Sequence, residues 1–262
     1  MAEPLKRLKT EELITNLYEN SVTDLQLFKN IDNLLSRDKG LKINGLLLTS
    51  KDEIIEIFRS HKFFEFNWNH KLLGKDIYHF TLTKKVKKDN TLIKGDFLLF
   101  KYMPQKNIYI VITHENYRFF KNGLIPFLNK FYPLISRPYI DTAFMRVLLE
   151  TYESKLISEK IWITRCVTKK VIGSDIHYTD LPFREVFDKA IENEEWIKSI
   201  DFNLVFQSSK DTINVKQHLL NHKFYKLFRD TRFQCNYNFT VFYERLIEGM
   251  ANKAVESFEL FD

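Results

Sequence analysis

The spacing of hydrophobic and polar positions before residue 76 is mainly helical. Thr10, followed by EELITNLYEN, combines a capping residue with early carboxylates, which favours a helix start. From about Thr23, apolar residues recur every three or four positions and predict a second helix that ends near Gly40. INGLLLT predicts a strand, and Ser50 with Glu53 forms a capping-box pattern that predicts a helix over KDEIIEIFRSHK.

From residue 76 the period changes to that of strands. The runs DIYHFTLT, TLIKGDFLLFKYM and NIYIVIT are rich in aromatic and β-branched residues and are joined by short polar turns. Both alternating sets of NIYIVIT are apolar, with Ile108, Ile110 and Ile112 set against Tyr109 and Val111. Such a pattern is typical of a central strand that is covered on both faces.

The rest of the chain alternates again between helical and strand patterns. NYRFFKNGLIPFLNKFY and DTAFMRVLLETYESK predict two helices, the second capped by Asp141, and KIWITRCVTKKVI predicts a strand. Asp180 followed by Leu181 and Pro182 predicts the start of a helix over PFREVFDKAIENEEWIKSI. Further strands are predicted over IDFNLVFQ, TINVKQHLL and KFYKLF with RFQCNYNF, and a last amphipathic helix from about Phe239 to Phe258.

One run near the end, KFYKLFRDTRFQCNYNFTVFYERL, interleaves aromatic, basic and amide side chains over residues 223–246. This composition suits either a base-stacking surface or a strand pair with an aromatic inner face. Strand parity places Phe233 and Cys235 on the face opposite the basic and amide residues, so the aromatics are predicted to be core. Phe224 and Phe228 do not fit this division, and the pattern leaves open what covers them.

The order of elements predicts an α+β protein with mainly antiparallel sheet and flanking helices, divided into two lobes that meet near residues 153 to 160. The predicted N-terminal lobe, 1–155, has helices over 10–38, strands over 76–113 and helices over 116–153. The predicted C-terminal lobe, 156–262, has strands over 160–238 and a terminal helix over 239–260.

Composition narrows the class of protein without naming a function. Of the 262 residues, 44% are hydrophobic and 28% are charged, as in ordinary soluble globular proteins. Cys166 and Cys235 are far apart and lack metal-ligand spacing, which favours reduced thiols. The charged N-terminus has no signal-peptide core, and no segment approaches the roughly 18 consecutive apolar residues that span a bilayer. A cytoplasmic protein without a membrane partner is therefore predicted.

Several catalytic chemistries lack their motifs. The glycines stand singly, without GxGxxG or GK[ST], which argues against a phosphate loop. His61, His70 and His79 are evenly spaced but fall on a predicted helix end, loop and strand, which argues against a shared metal site. GxSxG is absent, and both cysteines are expected to be core thiols. No cofactor is predicted.

A metal-dependent nuclease of restriction-endonuclease type is the enzymatic alternative. Such a core places an acidic residue on one strand and an acidic-x-Lys triplet on the next, where Mg²⁺ or Mn²⁺ lies beside the scissile phosphate. Asp96 begins an apolar run in a strand, and Lys101 follows it on that strand. The sequence's acidic-x-Lys triplet, Glu153-Ser154-Lys155, falls on a helical pattern. Asp96 and Lys101 are therefore only an alternative catalytic site.

Lysine-rich segments are the main signal for binding. KKVKKDNTLIK surrounds a predicted hairpin tip with five lysines and a single carboxylate, Asp89. Such lysines neutralise phosphates without reading bases, although lysines also solubilise loops and protect strand edges. The predicted nucleic-acid contacts are Lys84, Lys85, Lys87, Lys88, Lys94, Arg165, Lys169, Lys170, Lys216, His218 and Arg232.

The leading functional hypothesis is a non-catalytic cytoplasmic subunit, of prokaryotic type, that binds DNA, RNA or a protein partner within a larger assembly. The formal net charge of +6 and the pI of about 9.0 favour polyanionic partners, but they are far below those of a nucleic-acid packaging protein. A purely structural or regulatory interaction subunit is the third class, and a large exposed apolar patch would be its sign.

Overall fold

The computed structural model describes residues 24–37, 41–74, 76–86, 91–103, 107–114, 117–151, 162–166, 175–177, 183–193, 196–202, 225–236 and 239–243. By their contacts they belong to two compact units: unit 1 from Met1–Ser136 with Tyr237–Val241, and unit 2 from Arg137–Asn236 with Phe242–Asp262. Several predictions lie outside the described residues, among them the helix from Thr10, the strand TINVKQHLL, the terminal helix beyond residue 243 and the meeting point of the lobes near 153 to 160.

The secondary structure combines short helices with antiparallel strands. The strands are β1 (Ile43–Ser50), β2 (Phe66–Gly74), β3 (Ile77–Lys85), β4 (Leu92–Met103), β5 (Ile108–Thr113), β6 (Ile135–Ser136), β7 (Trp162–Cys166), β8 (Asp175–His177), β9 (Trp196–Phe202), β10 (Tyr225–Phe228) and β11 (Phe233–Cys235). The α-helices are α1 (Asp24–Arg37), α2 (Ile54–Ser60), α3 (Tyr117–Phe119), α4 (Ile125–Asn129), α5 (Thr142–Thr151), α6 (Phe183–Glu192) and α7 (Phe239–Phe242), and a π-helix, Phe120–Leu124, lies between α3 and α4. No helix in the described part of the chain is both long enough and apolar enough to cross a membrane.

In unit 1 the strands pair in the order β2-β3-β4-β5-β1, all antiparallel, and β6 pairs with β1. Strand β5 is buried at all six positions, as its doubly apolar pattern predicts. Its Ile110 lies opposite Phe100 of β4 and Leu47 of β1. The α+β class with antiparallel sheet is therefore confirmed.

One face of this sheet, here called the first face, carries Phe80 and Phe97. Aromatic rings make much of the contact between this face and the helices that cover it. Phe58 of α2 packs against Phe80, Phe127 and Phe131, with ring centroids 5.4, 5.3 and 4.8 Å away. Phe80 also stacks on Phe97 across the β3–β4 pair, at 4.8 Å. Ring pairs of this kind add to the free energy gained by burying apolar area.

The second face of the sheet carries α1, the helix predicted from about residue 23. The buried side chains on α1 are Leu27, Phe28, Ile31, Leu34 and Leu35. Phe28 contacts Phe100 of β4, with the ring centroids 6.1 Å apart. Asp32 accepts hydrogen bonds from the backbone amides of Phe239 and Thr240. Its carboxylate therefore caps the first amides of α7.

In unit 2 the strands pair in the order β11-β10-β9-β7-β8, again antiparallel. Tyr225 and Leu227 of β10 are buried, as are Phe233 and Cys235 of β11. The ring of Phe242 stacks on Tyr225, with centroids 4.8 Å apart. The predicted core positions in RFQC are therefore confirmed.

Among the described residues of unit 2, helix α5 begins with a side-chain cap and is joined to α6 by an ion pair. The Phe144 amide donates to the Asp141 carboxylate at 2.6 Å, which confirms the predicted cap of α5. Arg146 of α5 pairs with Glu150 one turn away and with Asp188 of α6. These contacts join α5 to α6.

The single helix predicted from Pro182 to Ile200 was wrong at its C-terminal end. Helix α6 ends at Glu192, and the chain then forms β9 between β10 and β7. Ile197 and Ile200 are buried in that strand. Pairing with two neighbouring strands overrides the helical spacing of these apolar residues.

Strand β2 was not predicted. Phe66, Trp68 and His70 of β2 alternate with the exposed Asn67 and Asn69. Asparagine is depleted in strands, so the polar half of this alternation resembles a loop. Among the described strands β2 pairs with β3 alone, which explains why one set of its side chains is polar.

The capping box predicted at the start of α2 was also wrong. Ser50 is the last residue of β1, and its hydroxyl donates to the Asp52 carbonyl at 2.6 Å. Glu53 occupies the N-cap position but makes no capping hydrogen bond with its side chain. The Ile54 amide donates instead to the hydroxyl of Tyr109, at 3.3 Å. A tyrosine from the central strand thus takes the place of the cap.

Helix α3 and the π-helix approach β4 very closely at Gly95. A Cβ atom added to Gly95 would lie 2.6 Å from the ring of Phe119, whereas one added to Gly123 would lie 3.2 Å from Ile93 and Phe119. A residue without a side chain is required where a ring lies on the backbone of a strand. The contact between Gly95 and Phe119 therefore sets how close this helical segment lies to the sheet.

We expect Gly95→Ala to lower the free energy of unfolding by about 1–3 kcal/mol, because the added methyl group overpacks against Phe119. Urea unfolding followed by circular dichroism measures the change. Gly123→Ala is the matched control: its nearest neighbours are 3.2 Å away, and alanine favours the helix, so its loss should be smaller. A Gly95 variant as stable as the wild type would contradict this account.

Candidate nucleic-acid interface

The end of the β3–β4 hairpin carries three of the predicted lysine contacts. Lys84 and Lys85 are the last residues of β3, and Lys94 of β4 lies opposite Thr83. Successive strand residues point to opposite faces, so Lys85 and Lys94 are on one face and Lys84 is on the other. Both Lys85 and Lys94 are exposed. The predicted contacts Lys87 and Lys88 lie outside the described residues.

Lys84 lines an open groove of about 310 Å³ between the hairpin end and the helical segment formed by α3, the π-helix and α4. The hairpin contributes Lys84, Val86, Thr91 and Ile93, and the helical wall contributes Arg118, Asn122 and Pro126. None of these seven residues is acidic. We refer to these seven residues as the basic groove.

The Lys84 ammonium group, which belongs to the hairpin wall, makes a hydrogen bond to the helical wall. It donates to the backbone carbonyl of Asn122 at 2.8 Å and lies 5.6 Å from the ring centroid of Phe66. In an α-helix that carbonyl would accept from the amide of residue 126, but Pro126 has no N–H. The Lys84 ammonium group therefore donates to a carbonyl that, in an α-helix, would accept from the backbone N–H of residue 126.

The helical segment carries two exposed cations that the sequence pattern did not identify, of which Arg118 lines the groove. Arg118 belongs to α3 and Lys121 to the π-helix, whereas the intervening Phe119 and Phe120 are buried. The sequence YRFFKN contained a signal for these two cations: in a helix whose two phenylalanines are buried, the basic residues on either side of them face solvent. Single turns of π-helix occur frequently at functional sites, which draws attention to this wall.

Asp96 lies among polar side chains on the same sheet face as Lys85 and Lys94. Thr81 is opposite Asp96 in the register, and His79 Nε2 is 3.4 Å from Asp96 Oδ1. Burial raises the pKa of the Asp96 carboxyl, but the adjacent His79 imidazole, the Thr81 hydroxyl and the His114 imidazole outweigh burial, so the pKa lies below its usual value. Asp96 is therefore held ionised by its neighbours.

His114 is the most strongly perturbed group near Asp96. Its Nε2 atom is buried and has no hydrogen-bond partner in the described part of the chain. Burial lowers the pKa of His114 to about 4, while the charge of Asp96 opposes part of that change. The ring is therefore neutral at physiological pH.

Asp96 and Lys101 are not brought together. Lys101 pairs with Glu53 and lies 5.8 Å from the ring centroid of Tyr109, which belongs to the core on the first face of the sheet. Asp96 and His79 lie on the second face. The nuclease alternative stays a prediction, with its two named residues on opposite faces.

In unit 2 the structure places Arg232 in a compact ionic cluster. Its guanidinium pairs with Asp230 at 2.8 Å and lies 4.7 Å from the ring centroid of Phe228. Lys226 Nζ lies 5.3 Å from the same centroid and pairs with Asp201 at 2.8 Å. Cation–π contacts therefore cover Phe228, which the parity pattern left unexplained.

The other predicted contacts of unit 2 remain predictions. Arg165 lies in β7 opposite Ile197 of β9. Phe224 and the predicted contacts Lys169, Lys170, Lys216 and His218 lie outside the described residues.

Neither similarity nor metal-ligand clustering assigns a chemistry to the chain. No protein-family model matches the sequence, and no curated protein matches it. Within the described residues, no group of three or more His, Cys, Asp or Glu side chains could hold a metal ion. Among the described residues, the basic groove combines a concave shape with cations and no acidic lining residue.

The partly buried His114, whose Nε2 atom is fully buried, predicts a loss of stability in mild acid. Its folded pKa of about 4 lies below the unfolded value of 6.5, so the unfolded chain binds more protons between these values. The free energy of unfolding should fall by roughly 2–3 kcal/mol between pH 7 and pH 4.5 from this residue alone. Urea unfolding at the two pH values measures the loss.

His114→Gln is the matched variant, because its amide does not titrate, and it should lose correspondingly less stability over that interval. His70, whose pKa is also lowered by burial, is present in both proteins and cancels in the comparison. The lowered pKa of Asp96 acts only below about pH 4, outside the interval. Equal losses in the two proteins would contradict the assignment to His114.

Proposed function

We propose that the protein binds the phosphate backbone of a nucleic acid in the basic groove. The observation that carries the proposal is a concave site with cations on both walls, Lys84 on the hairpin and Arg118 on the helical segment, and no acidic lining residue. Low-dielectric walls lined by one sign of charge concentrate the field and attract polyanions.

The surroundings of the basic groove reinforce its charge. Lys121 is exposed on the π-helix next to the lining residue Asn122, and Lys85 and Lys94 are exposed at the hairpin end on the sheet face opposite Lys84. Glu65, beside the hairpin end, pairs with Lys130 Nζ at 2.6 Å, which offsets its charge. The guanidinium of Arg118 suits phosphate because it donates two parallel hydrogen bonds to such a group.

The competing explanation, a solubilising loop, accounts for the hairpin lysines but not for the opposite wall. Solubility requires scattered exposed charge and gives no reason for Arg118 and Lys84 to line one concavity. The proposal includes the wider prediction that the chain is a non-catalytic cytoplasmic subunit of an assembly, since phosphate binding by lysine and arginine needs no chemical step.

The proposal is tested by the salt dependence of binding to a fluorescent oligonucleotide, measured by anisotropy. With four or five phosphate contacts, the affinity should fall about 100-fold between roughly 50 and 200 mM salt. Replacing Arg118 and Lys121 together by alanine should weaken binding and reduce the slope of log K against log salt by about 2, because each of the two cations neutralises one phosphate.

The control is the double variant Lys29→Ala and Lys51→Ala, which removes the same charge. Lys29 is exposed on α1, and Lys51 follows β1 at the sheet end opposite the β3–β4 hairpin tip. The control should bind like the wild type. An equal loss in both double variants would show a net-charge effect, and no wild-type binding at low salt would refute the proposal.

A further inference from the structure

Phe64, at the entrance to β2, is unusual for a phenylalanine because 94% of its surface is exposed. Its neighbour Phe63 turns inward, with its ring centroid 5.1 Å from that of Phe131. Two consecutive phenylalanines before an alternating strand cannot both face the core, and Phe64 is the one left outside. At this exposure the Phe64 ring contributes almost nothing to the core and is accessible to a ligand.

Backbone pairing places Phe64 beside the hairpin end that forms the basic groove. The Lys85 amide donates to the Glu65 carbonyl at 2.9 Å, and Phe66 lies opposite Lys84 in the register. Phe64 therefore directly precedes Glu65, a turn residue whose carbonyl is hydrogen-bonded to the end of β3. Val86, the next residue of the hairpin, lines the groove itself.

A second exposed ring lies on the helical side. Tyr117 immediately precedes Arg118 in α3 and is 44% exposed. Phe64 thus lies beside the end of β3, which supplies Lys84, and Tyr117 lies in α3, which supplies Arg118.

The lining of the basic groove is only partly polar. Val86, Ile93 and Pro126 contribute apolar surface between the cations. A duplex backbone presents charged phosphates and hydrated sugars to such a wall, with the base faces hidden in the stack. An unpaired strand also presents the flat faces of its bases, which pack on apolar and aromatic side chains.

From these contacts we infer that the ligand of the basic groove is a single-stranded nucleic acid, with a base stacked on Phe64 and the adjoining phosphates held by Lys84 and Arg118. This inference rests on the proposed function and adds the strand class and a stacking residue. Tyr117 provides a second stacking surface on the helical wall. Stacking is tolerant of sequence because every base has a π-face, so the binding has little sequence preference.

The test compares a single-stranded oligonucleotide of about 12 nucleotides with its duplex by fluorescence anisotropy, a length within the site sizes of known strand-binding grooves. The wild type should bind the single strand more tightly. Phe64→Ala should weaken single-strand binding roughly 5- to 100-fold and change duplex binding by less than about twofold. Phe64→Trp, which keeps an aromatic face, should retain the affinity.

Leu72→Ala is the matched control, because Leu72 is 58% exposed at the other end of β2 and has no ring. It should bind like the wild type, and all three variants should unfold at the wild-type urea midpoint. A poly-glutamate peptide of equal charge tests for a protein partner, and its binding with equal affinity would overturn the inference.

Failure of the inference can be separated from failure of the proposed function. Equal binding of single strand and duplex, lost in the Arg118 and Lys121 double variant but unaffected by Phe64→Ala, would overturn the inference and leave phosphate binding intact. Absence of binding to either nucleic acid at low salt would overturn both.

Discussion

The close approach of the Phe119 ring to the backbone of Gly95 is the constraint on which the rest of the candidate site depends. A side chain at position 95 would collide with that ring, so the helical segment could not lie this near the sheet. The π-helix that follows, Phe120–Leu124, carries Lys121 and Asn122 beside the hairpin end. A contact within the core thus fixes the position of one wall of the basic groove.

The parts of the fold that could be predicted are those where local pattern and tertiary environment agree. Strand β5 is apolar on both faces because it has a strand on either side and packing above and below. The segment Trp196–Phe202 was predicted wrongly because its apolar spacing also fits a helix, and pairing with β7 and β10 decides the outcome. Strand β2 escaped prediction because its solvent-facing residues are asparagines, which are typical of turns.

The candidate site was predictable only on its hairpin side. Lysines clustered around a turn are visible in sequence, so Lys84, Lys85 and Lys94 were identified as contacts. Arg118 was not, since its relation to the hairpin depends on a helical segment that packs across the sheet. Strand parity correctly predicted the buried side of β11. It left open which side of β10 is buried and did not predict the cations over Phe228, because Arg232 and Lys226 approach the ring from separate positions in the pair.

The pairing of Lys84 with the Asn122 carbonyl carries a consequence for how the sequence can diverge. Pro126 removes the amide that would satisfy this carbonyl in an α-helix, and Lys84 replaces it from a different strand. A non-proline residue at 126 would offer its N–H to the Asn122 carbonyl only if this π-helical segment became α-helical, whereas an apolar residue at 84 would leave the carbonyl dependent on water. Substitution at position 84 is therefore constrained by this carbonyl as well as by the charge of the groove.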